Sequence, residues 1–217
     1  MSKPIFIMLD TETTSLNTRE ALPWQVGFIV FDSNFHTILT YSGSSPLPTN
    51  LWDAGTLDWA KNTYGDEYLA EHAAIVTDNA ADRLCLLGAW GQMISEVMNA
   101  LQMVTTANSK ENVYLICNHV EFDWSVLLNA QAKAGITKNS FEKIIHYRNK
   151  LDLQSLCIGS ACARGYSYSA MYKDFKAYMA SCGKDKVVHR AVEDCESQIE
   201  MLRFFFDSLD ALVKVGD

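Results

Sequence analysis

The 217-residue chain has only four prolines, and its six cysteines (Cys85, Cys117, Cys157, Cys162, Cys182 and Cys195) include no CxxC pair. Without such pairs the spacing of a zinc site or a redox dithiol is missing. Several of these cysteines lie in apolar surroundings, so reduced core thiols are expected rather than zinc or disulfides. Long apolar runs are missing too. The one near the N-terminus, Ile5 to Leu9, stops at Asp10, too short for a signal peptide or a membrane span, so a soluble, cytoplasmic protein with no membrane partner is expected. There is no internal repeat, linker or low-complexity segment. With 48% hydrophobic residues, the chain can bury a full core as one domain over residues 1–217.

Positive charge is scarce as well: 18 Lys and Arg stand against 26 Asp and Glu, a net charge of −8. Taken alone, that balance argues against a polyanionic partner. The distribution says otherwise. Residues 133 to 190 hold 11 Lys and Arg against 4 Asp and Glu, a local net of +7 that leaves −15 for the remainder. Such asymmetry is expected where acids gather at a metal centre while one lobe meets a polyanion.

The richest stretch is Leu9-Asp10-Thr11-Glu12-Thr13-Thr14. It ends an apolar strand on two carboxylates one residue apart. Strand side chains alternate, so Asp10 and Glu12 face the same way with Cα atoms about 6.6 Å apart. Two acids aimed at one spot repel each other unless a hard, oxygen-seeking cation lies between them.

Along the chain, Ile5 to Asp10, Trp24 to Phe31 and Phe35 to Tyr41 read as strands, the last two joined by Asp32-Ser33-Asn34 as a hairpin turn. From Leu47 to Ala81 the pattern is irregular, with Pro48, Gly55 and Gly65 punctuating short helical pieces such as Thr56 to Asn62. Residues 81–103 place Leu84, Leu87, Ile94, Val97, Met98 and Leu101 on one helical face, with Asn79 or Asp82 as a cap. A strand over Val113 to Cys117 then leads to a helix from Asp123 to Ala134 that Gly135 closes. Leu151 to Leu153 reads as a last strand, with Asp152 or Ser155 capping the turn of helix after it, and Val192 to Val213 as a long closing helix.

Two more polar clusters, Asn118-His119-Val120-Glu121-Phe122-Asp123 and His189-Arg190-Ala191-Val192-Glu193-Asp194, complete the set. DTETTSLN with QVG in the next strand, CNHVEFDWSVL and HRAVEDC together resemble the three motifs of the DEDD superfamily of 3′–5′ exonucleases. The histidine five residues before the last aspartate places the resemblance in the DEDDh subgroup. TLDWAKNTYGDEYLAEH and the asparagine five residues before Asp123 are most similar to phage exonuclease A and exoribonuclease AS. Ser15 departs from the usual glycine of the first motif, and Gln154 and Ser155 depart from the usual residues after Asp152.

The resemblance implies an α/β, ribonuclease H-like exonuclease fold, a central mixed β-sheet flanked by helices. It implies hydrolysis of phosphodiester bonds from a single-stranded 3′ end, releasing nucleoside 5′-monophosphates. Two divalent ions, Mg2+ or Mn2+, supply an activated nucleophile and stabilise the departing oxygen in such chemistry. By the same resemblance Asp10 bridges both ions, Glu12 and Asp194 complete one, Asp123 supports the other, and His189 is the general base. An imidazole pKa near 6.5 suits that role. Five residues turn about 500° along a helix, so His189 belongs in the loop before the helix that carries Asp194. Closure of that loop over substrate is a further expectation.

Expected substrate contacts are Thr13, Leu16, Trp59, Asn118 and Phe122, with Leu16 at the family's wedge position; Trp59 fits helix-to-sheet packing equally well. His119 has no part in the family motif and reads as structural. Arg164, Tyr166, Tyr168, Tyr172, Lys173, Lys176, Lys184, Lys186 and Arg190 interleave bases and aromatics, a pattern suited to tracking a phosphate backbone. RNA and DNA both stay open. Family members are often dimers, which makes a homodimer an expectation. A weakly active or inactive module that binds nucleic acid or protein is the alternative, and a nucleotide phosphatase is a second.

Overall fold

The computed structural model describes residues 3–74, 80–137, 140–184, 189–206 and 209. In chain order these form β1 (Ile5–Thr13), β2 (Pro23–Asp32), β3 (Thr37–Ser44), β4 (Leu47–Pro48), α1 (Ala54–Tyr64), α2 (Asp66–His72), β5 (Ala73–Ala74) and α3 (Ala80–Asn108). There follow β6 (Val113–Cys117), α4 (Val120–Lys133), α5 (Phe141–Ile144), β7 (Lys150–Asp152), α6 (Leu153–Ala163), α7 (Tyr168–Ser181) and α8 (Ala191–Phe205).

A five-stranded sheet in the order β3-β2-β1-β6-β7 is the centre. β1 pairs antiparallel with β2 and parallel with β6, so the sheet is mixed. β1 is covered on both faces, which explains its unbroken apolar run. Ile5, Ile7 and Leu9 pack with Trp90, Ile94, Trp124 and Leu127 of α3 and α4. Phe6 and Met8 pack with Cys157, Met171, Ile199 and Leu202 of α6, α7 and α8. This is the α/β, ribonuclease H-like arrangement, a mixed sheet between helices. No helix among the described residues is long and apolar enough to cross a membrane.

The hairpin turn at 32–34 forms: Asp32 Oδ1 accepts from Asn34 N at 2.9 Å and His36 N at 3.0 Å. Phe35, expected in the third strand, instead takes φ 63° in the turn, and β3 begins two residues later. The other strands keep their places within a few residues, and Asp152 caps α6 through Ser155 N at 2.8 Å. α4 starts three residues before Asp123, since the His119 carbonyl already accepts from Phe122 N and Asp123 N.

α3 corrects the face expected of it. Ile94, Val97, Met98 and Leu101 are buried, but Leu84 is 71% and Leu87 39% exposed. Burial begins at Trp90, whose indole N–H donates to the Pro23 carbonyl at 2.8 Å; the preceding turns extend past the core. α8 ends at Phe205, and Phe206 is extended. Asn79, Lys186 and Val213 lie outside the described residues. All six cysteines are free; Cys117, Cys157 and Cys195 are buried, whereas Cys85, Cys162 and Cys182 are exposed.

Candidate active site

β1 outruns its parallel neighbour: its pairing with β6 ends at Met8, while the strand continues to Thr13. Asp10, Thr11 and Glu12 therefore stand at the carboxyl end of the sheet, where open α/β sheets leave room for ligands. Alternation sends Asp10 and Glu12 towards α8 and Thr11 towards α4. Gln198 of α8 donates through Nε2 to Asp10 Oδ1 at 3.0 Å. Thr11 Oγ1 donates to Asp123 Oδ1, from the first turn of α4, at 2.7 Å. Acids from both helical layers thus meet over the end of one strand.

The third contribution depends on how closely α8 approaches β2. Gln25 Oε1 accepts from Ala191 N, the first N–H of α8, at 3.1 Å. Two residues on, Gly27 faces the helix start so closely that a Cβ there would lie 2.6 Å from Ala191 C and Val192 N. The QVG run is therefore a helix seat: one side chain caps α8, and one missing side chain lets it land. With α8 seated, Asp194 falls in its first turn and His189 in the segment before it, the arrangement that five-residue spacing requires.

His189 is held from behind. Its ring meets Trp59 at 5.2 Å and Tyr64 at 5.8 Å, both edge-on, and Tyr68 Oη donates to its carbonyl at 3.4 Å. Its φ of 44° is in the left-handed region, unusual for a residue other than glycine and held by such packing. Ligand atoms of Glu12, His189 and Asp194 all lie within 4.8 Å of one another. His189 therefore stands beside Glu12 and Asp194, in the segment just before α8. The irregular stretch of α1 and α2 supplies that support.

Burial dominates the electrostatics. It pushes the Asp10 carboxyl up to about 7, with Asp194 adding to the rise and the Gln198 hydrogen bond and His189 opposing it. Burial, then Asp10, Asp194 and Asp123, pushes Glu12 to about 9. Asp123 rises to about 8 through burial and Asp10, against the Thr11 hydrogen bond. Asp194 rises to about 6 through burial and Glu193. His189 moves down, because burial disfavours its cation more than Asp10 favours it. Four carboxyls that cost this much to ionise together fit a site for hard divalent cations, which favour the ionised forms and take oxygen ligands. Asp10, Glu12, Asp123 and Asp194 offer oxygens of that kind, with a His189 nitrogen beside those of Glu12 and Asp194.

These residues line a cleft of about 700 Å³. Of the expected substrate contacts, Leu16, Asn118 and Phe122 line it, and Leu16 is 83% exposed. Thr13 instead donates from Oγ1 to the Ser15 carbonyl at 2.9 Å, shaping the turn after β1. Trp59, 45% exposed, packs on Tyr64 and His189 rather than between helix and sheet. Ser15, in place of glycine, caps that turn by accepting from Asn17 N at 3.0 Å. His119 lines the cleft and precedes α4. From the basic and aromatic stretch, Tyr168, Tyr172, Lys176 and Lys184 reach the cleft, and Arg190 pairs with Glu193 at 3.8 Å.

Residue-by-residue reading of the sequence missed Gln198, Thr11 and the support from Tyr64 and Tyr68. For Gln198 a signal existed, since it lies four residues after Asp194 and so on the same helical face. Nothing local marks Tyr64 or Tyr68 as neighbours of a residue over a hundred positions away.

The fold is similar to that of solved Exonuclease I structures. Escherichia coli Exonuclease I in complex with a dA16 oligonucleotide matches with a TM-score of 0.61 at 15% identity, over 98% of this chain and 42% of that one. Exonuclease I from Methylocaldum szegediense matches with a TM-score of 0.59 at 14% identity, over 93% of this chain and 42% of that one. The zinc-bound form of the E. coli enzyme with single-stranded DNA matches with a TM-score of 0.60 at 16% identity, over 93% of this chain and 40% of that one. The chain thus spans less than half the length of these neighbours. No family model matches the sequence, and no curated protein does.

Proposed function

We propose that the chain is a DEDDh-type, metal-dependent 3′–5′ exonuclease domain that hydrolyses single-stranded nucleic acid from its 3′ end and releases nucleoside 5′-monophosphates. The observation that carries this is the convergence of Asp10, Glu12, Asp123 and Asp194, from three separate segments, with His189 at one open cleft. A purely binding module has no physical need for four acids whose mutual repulsion and burial raise the cost of folding.

The four carboxylates would hold divalent cations, Mg2+ or Mn2+, which when bound would supply Lewis acidity towards the scissile phosphate and the attacking water. Asp10, steadied by Gln198, and Asp123, fixed by Thr11, would hold such ions together with Glu12 and Asp194. His189, neutral around pH 7, accepts the proton that the attacking water gives up. Trp59 and Tyr64 hold its ring and Tyr68 its carbonyl, which limits the reorganisation needed on each turnover. Leu16, Asn118 and Phe122, on the wall next to the acids, receive the terminal nucleotide, and Thr13 acts on Leu16 through the turn it shapes.

Single-stranded DNA is the first substrate to test, because structural neighbours were solved with DNA oligonucleotides. The test is digestion of matched 5′-labelled DNA and RNA single strands with Mg2+ or Mn2+, alongside EDTA and Asp10→Ala controls. A ladder shortening from the 3′ end, absent from both controls, is expected. A folded protein that binds the strands and cleaves neither would make it a binding module; hydrolysis of mononucleotides alone would make it a phosphatase.

A further inference from the structure

We propose that α7 carries a second, upstream subsite on the cleft wall, where Tyr168 and Tyr172 stack bases of the strand behind its 3′-terminal nucleotide and Lys176 meets the accompanying phosphate. The subsite rests on the exonuclease reading for the direction of the strand, but its own observations are independent of the acids. Residues 168, 172 and 176 are four apart, so they form one stripe along the helix. Phe175 and Met179 are buried beneath it, so the helix cannot turn the stripe away without exposing core. All three stripe residues line the cleft that holds the acids.

The stripe has the chemistry that single strands use. The Tyr168 and Tyr172 rings are stacked at 5.6 Å and 25°, and Lys176 Nζ lies 5.4 Å from the Tyr172 centroid. Aromatic faces accept any base, and an adjacent ammonium serves the backbone, which gives affinity without sequence preference. The rings are also fixed in advance: Tyr168 tilts against Phe205 at 6.1 Å and Tyr172 against Phe175 at 6.2 Å. Rigid rings lose little freedom when a base arrives. Lys184, on the same wall, is paired with Glu200 at 3.5 Å, whereas Lys176 rests on an aromatic ring. A chain with a net charge of −8 thus places its phosphate-seeking charge where the strand must pass.

The experiment measures kcat/KM with Mn2+ for 5′-labelled single strands of two, three, five and ten nucleotides, in the wild type, Tyr172→Leu and Lys176→Ala. Leucine keeps an apolar side chain at position 172 and removes the aromatic face, on which Lys176 also rests. In the wild type kcat/KM should climb with length and level off by about five nucleotides. Tyr172→Leu should lower the ratio of decamer to dinucleotide kcat/KM about tenfold, within the worth of one base–aromatic stack. Lys176→Ala should flatten the salt dependence of decamer binding, read by fluorescence anisotropy in Ca2+, by about 0.7 in the log–log slope, the loss of one phosphate contact.

Equal losses on dinucleotide and decamer, or an unchanged ratio, would overturn the subsite. Hydrolysis of the p-nitrophenyl ester of thymidine 5′-monophosphate, which has no upstream chain, reports the chemistry separately. If the wild type cleaves neither ester nor oligonucleotide yet binds the decamer about tenfold more tightly than Tyr172→Leu, the subsite stands and the exonuclease reading falls.

Discussion

Replacing Gly27 by alanine would put a methyl carbon 2.6 Å from Ala191 C and Val192 N, about 1 Å inside ordinary carbon contact distance. Both opposing atoms are backbone, so no flexible side chain can yield. The start of α8 must lift from β2, stretching the 3.1 Å bond from Ala191 N to Gln25 and carrying His189 and Asp194 with it. Overpacking of this kind costs about 1–3 kcal/mol, which in a chain of this length lowers the melting temperature by roughly 5 °C for ~2 kcal/mol. The effect on turnover should be larger, because a misplacement of about 1 Å at a reacting group costs on the order of a hundredfold. Gly88 is the control. It lies in α3 with nothing within 4 Å of a built Cβ, so Gly88→Ala should raise stability by about 1 kcal/mol through helix propensity and leave turnover unchanged. Thermal melting and oligonucleotide digestion on both variants decide the matter. Wild-type turnover and melting in Gly27→Ala would refute the role of this glycine as the seat of α8.

Two further outcomes concern the acids and His189. In chelator, the folded state holds protons on Asp10, Glu12 and Asp123 that the unfolded chain has already released near pH 4, so the contribution of these three groups to stability is greatest below about pH 4, falls as pH rises and is fully lost once pH passes about 7 to 9. The melting temperature should therefore fall between pH 5.5 and pH 8.5, with Asp10 alone costing up to roughly 4 kcal/mol when ionised, and Mn2+ at pH 8.5 should restore it. A flat profile, or one indifferent to Mn2+, would contradict the four-acid site. His189→Ala should lower kcat by about 10²–10⁴-fold and leave decamer binding in Ca2+ within twofold. An equal loss of binding would show that His189 shapes the cleft rather than moving a proton.

Much of the site was legible because its signals are local. Alternation along β1 is enough to aim Asp10 and Glu12 together, and helical geometry is enough to separate His189 from Asp194. The apolar run of β1 likewise announces a strand buried on both faces. Leu84 and Leu87 mislead for the same reason: periodicity shows that a stripe is apolar, not how far the sheet beneath it reaches. Trp59 was ambiguous between base platform and core packing, and it is the ring of His189, from a distant segment, that it meets.

The sequence by itself determined which chemical groups are available and which face of its own element each occupies, since both follow from residue type and the period of the backbone. Tertiary structure alone decided which distant groups meet. Thr11 finds Asp123, Gln198 finds Asp10, Gln25 and Gly27 seat α8, and the α7 stripe turns towards the acids rather than open solvent. Those pairings depend on how strands order and helices approach one another, and the free energy that selects them is spread over the two cores flanking the sheet rather than held in any short stretch of chain.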